Sequence, residues 1–371
     1  MLWANSQHPF LANRVQHSDV FSRAQLFHPF ERSGAPVNWA LLAAVRFLLA
    51  MLVVASHHRI VGAPLSVYEG QIGSNAVAGF LLLSGFSINA SLERAPQGFY
   101  ARRLRRLAPT YFACLALAIV VLWLTGPTLR FQDGAWRHMP SGAPGAAALF
   151  MALVGLSGLV TQTLPTFAPA WSLSLEIVYY ALAPRLRALS GRALWMLALI
   201  SALCAMFLPA PAFWEAPGAV NILRFAGFWI VGFWLYRHRD SPRALCLSLV
   251  FVALVSASLA SQNAASLAVC FVAPAALCVG FRAPLRGTLK KAALYLGDVS
   301  YPLYLAHYPV LCAWMLAPMF PGKFPVAVAS SLGVAALVLW GEQRWFSARA
   351  TRARDASPLA SRPARRRAEL I

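Results

Sequence analysis

Residues 144–163, PGAAALFMALVGLSGLVTQT, decide how the chain is folded. They form one of eleven apolar segments; the others lie near 38–58, 73–92, 108–125, 171–188, 192–209, 219–236, 244–261, 264–281, 292–318 and 324–341. A hydrocarbon core of about 30 Å takes about 20 helical residues, so segments of this length read as transmembrane spans. Eleven crossings would leave the two termini on opposite sides of the membrane. Omitting 144–163, which is rich in Gly, Ala and Thr, gives ten crossings and puts both termini on one side.

The basic residues choose between the two counts. With ten crossings, 26 of the 32 lysines and arginines fall on one side, in clusters such as Arg102, Arg103, Arg105 and Arg106, then Arg185, Arg187 and Arg192, and the arginines after residue 341. Only Arg59, Arg130, Arg137 and Lys323 fall on the other side, while Arg46 and Arg224 lie within spans. The crowded side is the cytoplasmic one by the positive-inside rule. The expected fold is therefore all-α, a polytopic membrane helix bundle of about ten transmembrane helices. Segment 144–163 becomes a re-entrant or outward-lying helix, of the kind tolerated where it lines a cavity.

Composition agrees with this reading. Hydrophobic residues make up 59% of the 371, and charged residues only 12%, against about 25% in a soluble domain; mean hydropathy is +0.60. The net charge of +20 then reflects arginine retained on one membrane face, with no nucleic acid implied. The six cysteines sit inside apolar runs without ligand spacing, so neither a metal nor a disulfide is expected. The chain divides into a cytoplasmic N-terminal tail (1–37), a membrane domain (38–345) and a basic tail (346–371). That last tail is low in apolar residues, expected to be disordered, and suited to anionic lipid headgroups. The first 35 residues hold no apolar core of a signal peptide, and no transporter-type repeat is visible.

Ionisable residues inside a membrane are costly, which makes each one a functional candidate. Arg46 and His57 stand eleven residues apart on the first span, close to three whole turns, so they share a face about 16 Å apart along the axis. Ala50 and Val53 lie between them. Either the pair lines a pathway, or Arg46 snorkels or pairs with an acid while His57 lies at the interface. Arg103 and Arg106 open the third span three residues apart, as a phosphate cradle or as ordinary anchors. Counting from residue 171 puts Glu176 in the outer half of the bilayer, level with Arg224, an expected ion-pair partner. His307 also falls in the outer half and Asp298 in the inner. The resulting picture is a cationic inner mouth leading to a His/Glu centre near the outer face.

Five strings recur in order through this region: Arg46-x10-His57; FLLLSGFSI (80–88); ARRLRRLAP (101–109); WSLSLEIVYY (171–180); and LGDVSYPLYLAH (296–307). In these strings and their order the chain resembles the acyltransferase-3 family of membrane O-acyltransferases. It departs from the family at Ala76-Val77-Ala78 before the second motif, at Ala306 in place of tryptophan, and at Glu342-Gln343-Arg344, where a proline is missing.

The resemblance implies an enzyme of the bacterial inner membrane, multi-pass with both termini cytoplasmic. It would transfer an acyl group, usually acetyl, from acetyl-CoA or another acyl-CoA to a hydroxyl of a sugar. Acceptors would be exopolysaccharide, lipopolysaccharide or lipid-linked glycans, and polysaccharide-assembly proteins would be partners. The implied catalytic residues are His57 as general base, with Glu176 and His307; Arg46, Arg103 and Arg106 would hold the coenzyme. Ser84, Trp171, Ser172, Tyr180, Arg224 and Tyr304 would contact substrate. The chain has no G-x-S-x-G elbow, which favours direct transfer, with Ser84 and Ser172 as covalent alternatives. A transporter or flippase for an anionic glycan or lipid is the rival reading.

Overall fold

The computed structural model describes residues 37–62, 72–125, 144–208, 218–259, 268–269, 271–276 and 285–355. The N-terminal tail, Arg130 and Arg137, Cys270 and Cys278, and the tail beyond 355 lie outside them. Described residues 37–346 belong to one compact unit.

Every regular element among the described residues is helical. In chain order these are α1 (Trp39–Ser56), a 3-10 turn (His58–Val61), α2 (Ile72–Arg94), α3 (Phe99–Thr125), α4 (Ala146–Leu153), α5 (Ala170–Ala188), α6 (Gly191–Phe207), α7 (Ala219–Arg237), α8 (Pro242–Leu259), α9 (helical at 268–269 and 271–276), α10 (Gly287–Trp314) and α11 (Lys323–Asp355). α1, α2, α3 and residues Lys323–Arg349 of α11 are long and apolar enough to cross a membrane on those grounds alone. α5 and α10 are long enough but less apolar, because they carry Ser172, Ser174 and Glu176, and Asp298, Ser300 and His307. Local chemistry sets some starts: Asn38 Oδ1 accepts the Leu41 amide at 3.1 Å, and Ser190 Oγ accepts the Ala193 amide at 3.2 Å, both N-caps.

Segment 144–163 does not cross. Its helix, α4, has eight residues, about 12 Å of rise, and is followed by irregular chain as far as Pro169. That chain is wrapped in protein, with Ser157, Leu164, Thr166 and Phe167 fully buried. Carbonyls here and at the end of α4 are answered from neighbouring helices: Tyr111 OH donates to Ala152 O (2.5 Å), and Ser174 Oγ lies 2.9 and 2.7 Å from Gly155 O and Ser157 O. Irregular backbone at membrane depth requires such cover.

Helix directions give the same parity. Gly73 on α2 faces Ser56 at the end of α1, and Gly79 faces Leu49, so these two helices are antiparallel. Ser84 and Leu92 of α2 meet Glu176 and Arg187 of α5 in that order, so α2 and α5 run the same way. Ala43 meets Gly297 and His57 meets His307, which makes α1 and α10 parallel. A crossing by 144–163 would have reversed both parallel pairs. α3 is parallel to α10: Tyr301 OH donates to Leu107 O, and further along both helices Val121 and Tyr308 share one buried cluster. α11 returns against α3: Thr110 donates to Glu342, and Phe324 packs against the buried cluster that contains Val121.

The closest packing is between α2 and α7. A Cβ on Gly85 would stand 1.9 Å from Trp229 O, and one on Gly232 2.0 Å from Leu82 O. Two glycines thus let the backbones touch, as small residues do in membrane bundles, and Asn89 Nδ2 locks the crossing by donating to Phe233 O at 2.7 Å. Where α2 and α5 end, arginines serve the last carbonyls. Arg187 donates to Leu92 O, Arg102 to Ala95 O, and Arg237 to Leu186, Arg187 and Leu189 O at 3.3, 2.7 and 2.9 Å. Cations at helix C-termini satisfy orphan carbonyls and oppose the dipole. Part of the arginine excess is therefore structural.

Candidate active site

A cavity of about 110 Å³ opens where α1, α2, α3, α5 and α10 converge. Arg46 enters from α1, Phe80, Ser84 and Ser87 from α2, and Arg103, Arg106 and Leu107 from α3. Ser172, Glu176 and Tyr180 come from α5, and Ser300, Tyr301 and Tyr304 from α10. Three guanidinium groups face one carboxylate across this lining, which makes it a site for anions. The carboxylate is tied down: Ser84 Oγ donates to Glu176 Oε1, and Tyr180 OH, one turn along α5, donates to the same oxygen at 2.5 Å. Arg46 also feels Asp298, from the turn of α10 beside it. Arg103 stacks over Phe99 at 5.6 Å, and its buried Nε has no hydrogen-bond partner among the described residues. A buried donor left that way costs about 1–3 kcal/mol, which an anion accepting from it would offset.

The second feature lies at the other end of α1. His57 Nδ1 is 2.8 Å from Val53 O and 3.3 Å from His307 Nε2, while His307 Nδ1 is 3.1 Å from Leu303 O. These contacts assign the tautomers. A carbonyl only accepts, so Nδ1 of each ring carries the proton. His57 Nδ1–H is then shared between Val53 O and His307 Nε2, and the lone pair of His57 is on Nε2. His307 is fully buried, and Tyr308 sets its ring edge-on to His57 with centroids 5.2 Å apart.

Tyr304 connects the two features. It lines the cavity, its OH is 2.5 Å from Ser172 Oγ, and its ring lies 5.5 Å from Phe80 and 6.1 Å from His307. Arg46 lies on α1 and His57 is its C-cap, with buried Ala50 and Val53 between them. The cationic cavity and the histidine pair thus lie along one tract of side chains, with Tyr304 between them.

Two expectations about this tract need correction. Glu176 is not in a His/Glu centre: it bonds Ser84 and Tyr180 and lies level with Arg46. Nor, among the described residues, does it pair with Arg224, whose Nη1 reaches Leu208 O at 3.5 Å while its buried Nε has no hydrogen-bond partner there. The depth count from residue 171 took the start of α5 for the membrane surface. In fact that start is covered by 154–169, and Trp171 is buried against Phe225. Trp171 and Arg224 both stand outside the cavity lining. Ser87, Ser300 and Tyr301 belong to the lining although the sequence reading assigns them no role in the site. All three sit inside the recurring strings, one turn from Ser84 and from Tyr304.

A family model described as an acyltransferase domain, acyltransferase-3, matches residues 40–340. The chain belongs to that family. No curated protein and no solved structure matches it. In this acyltransferase the strings shared with the family divide into two kinds of residue. Arg46, Ser84, Arg103, Arg106, Ser172, Glu176, Tyr180 and Tyr304 line the cavity, whereas Gly85 and Gly297 allow close helix packing. Neither serine acts as a partner of His57: Ser84 bonds Glu176, and Ser172 bonds Tyr304 and Pro169 O.

Proposed function

We propose that this membrane acyltransferase moves an acyl group, acetyl in the first instance, from acyl-CoA to a hydroxyl of a sugar. The acceptor belongs to an exported or lipid-linked glycan of the bacterial inner membrane, and both chain termini are cytoplasmic. The observation that carries this reading is the tract itself, an anion site and a tautomer-fixed histidine joined through Tyr304. Arg46, Arg103 and Arg106 bind the phosphates of the donor, because guanidinium groups make bidentate, charge-assisted bonds to phosphate oxygens. The slender thioester arm then runs along the Ala50–Val53 face toward His57.

At that end the acceptor hydroxyl attacks the thioester carbonyl while His57 Nε2 takes its proton. The C–S bond breaks, and the departing thiolate recovers the proton as the free thiol. As His57 becomes an imidazolium, its Nδ1–H strengthens its bonds to Val53 O and His307 Nε2. His307 is thus a positioning residue, comparable in task to the carboxylate of a serine-protease triad. With Ser84 and Ser172 bonded elsewhere, direct transfer is favoured over an acyl-serine. The test is coenzyme A release by proteoliposomes given acetyl-CoA and membrane glycans. Removing a general base costs about 10²–10⁴ in rate, so His57→Ala should abolish release, and undiminished release would refute the assignment.

A further inference from the structure

The arginine cavity and the histidine pair leave Arg224 on α7 unused. The residue is only 8% exposed, yet little among the described residues answers its charge. Its Nη1 makes a long bond, 3.5 Å, to Leu208 O, and its buried Nε has no partner there. No acidic group among those residues acts on it. A charge taken out of water without a partner is costly, and inside a membrane domain it is a functional candidate. The structural arginines behave otherwise: Arg237 donates to three carbonyls.

Contacts with α5 and α6 fix the level of this charge. α7 runs parallel to α5, because Trp171 packs on Phe225 with ring centroids 5.5 Å apart and, further along both helices, Tyr179 packs on Trp229 at 5.6 Å. Phe225 is thus level with the start of α5, where Ser172 meets Tyr304, one turn short of His307. α6 runs antiparallel to α7: Ser201 Oγ donates to Leu223 O and accepts the Gly227 amide, and Trp195 packs on Trp234. Leu208, seven residues beyond Ser201, therefore lies about 10 Å nearer that end, beside the first residues of α7. By reaching Leu208 O the guanidinium is drawn toward the N-terminus of α7, at the end of the bundle that carries His57. That terminus has no side-chain cap: its N-cap is Gly218, where a Cβ would stand 1.8 Å from Gly158 O. Asn221, 3% exposed, lies one turn before Arg224 on the same face. Helix dipole, side-chain amide and guanidinium together favour an anion.

We propose that Arg224 and the start of α7 bind an anionic group of the acceptor, a carboxylate or a phosphate, so that the acceptor is an acidic glycan. The inference rests on acyl transfer, as proposed above, only in calling the bound anion the acceptor's. The donor's phosphates are assigned to the arginine cavity, toward the other end of α1, which leaves this charge to the second substrate. An arginine fork gives an anionic group two parallel charge-assisted bonds, whereas a neutral sugar gains hydrogen bonds without the charge.

The test is the thermal unfolding midpoint of the full-length protein in neutral detergent, titrated with sugars, because a ligand that binds only the folded state raises it. The probes are a disaccharide of glucuronic acid and glucose, the same disaccharide with its carboxyl reduced to the alcohol, and a glucose phosphate. Wild type should bind an acidic probe about tenfold or more tighter than the neutral disaccharide, the weight of a charge-assisted bond. Whichever acid binds more tightly identifies the group as carboxylate or phosphate. Arg224→Gln should abolish the preference without lowering the midpoint of the ligand-free protein, because the charge it removes has no ion-pair partner. Arg224→Lys keeps the charge, loses the fork and should retain part of the preference. The absence of any acidic preference in wild type would overturn the proposal, whatever the variants do. So would an Arg224→Gln variant that keeps the preference. Failure of coenzyme A release with every acceptor would count against acyl transfer, whereas these binding outcomes count against the site alone.

Discussion

Substituting His307 isolates the part of the site that lies furthest from the substrate. His307 Nε2 is 3.3 Å from His57 Nδ1, and Val53 O holds the same nitrogen at 2.8 Å. His307→Ala therefore removes one of two acceptors for the His57 proton and leaves the tautomer fixed by the other. The lost bond matters most when His57 is charged, where a charge-assisted bond contributes about 1.5–3 kcal/mol. At about 1.4 kcal/mol per decade, the expected loss in kcat is about 10- to 100-fold, smaller than for His57→Ala. KM for acetyl-CoA should stay within about twofold, because the arginine cavity lies at the other end of α1. His307→Gln places an amide oxygen near the position of Nε2 and should recover part of the lost rate. Steady-state kinetics in proteoliposomes, with acetyl-CoA varied at fixed acceptor, separates these terms. A kcat equal to that of His57→Ala, or a KM that rises with kcat unchanged, would refute the positioning role.

Three further outcomes follow from the same geometry. Arg103→Gln and Arg106→Gln should each raise KM for acetyl-CoA about tenfold or more with little change in kcat, measured in the same assay, since each removes a charge-assisted donor. Glu176→Ala should lower thermal stability in detergent by about 1–3 kcal/mol for each of the two hydroxyls, of Ser84 and Tyr180, that lose their acceptor; Glu176→Gln keeps an acceptor oxygen and should lose less. Gly85→Ala drives a methyl into Trp229 O and should destabilise the α2–α7 pair by about 1–3 kcal/mol or more, read as a lower midpoint of thermal unfolding.

The topology was legible because charge retention acts on whole loops. The distribution of arginines excluded 144–163 as a span, and α4 proves too short to be one. The cavity residues were legible where the recurring strings named them. What one helix at a time could not give was partnership across helices. His57 and His307 lie 250 residues apart in sequence; the depth count groups both with Glu176 in one centre of the outer half, but it cannot show that the two rings meet while Glu176 does not join them. Glu176 was misplaced because counting residues inward assumes that a helix begins at the membrane surface, whereas 154–169 buries the start of α5. The lining residues Ser87, Ser300 and Tyr301 received no role from the sequence, although two of them carry the resemblance, because hydroxyls are common in helices and carry no charge penalty to mark them. Gly85, quoted only as part of a string, has a physical reason visible once α7 is laid across it.

The account rests on a division between the two ends of α1, with donor binding at the arginines and chemistry at His57. Equilibrium binding of a non-transferable acetyl-CoA analogue, measured beside acetyl transfer for wild type and His57→Ala, tests that division most directly. The variant should bind the analogue with unchanged affinity and transfer acetyl about 10²–10⁴-fold more slowly. Transfer retained in the variant, or binding lost together with it, would contradict the account.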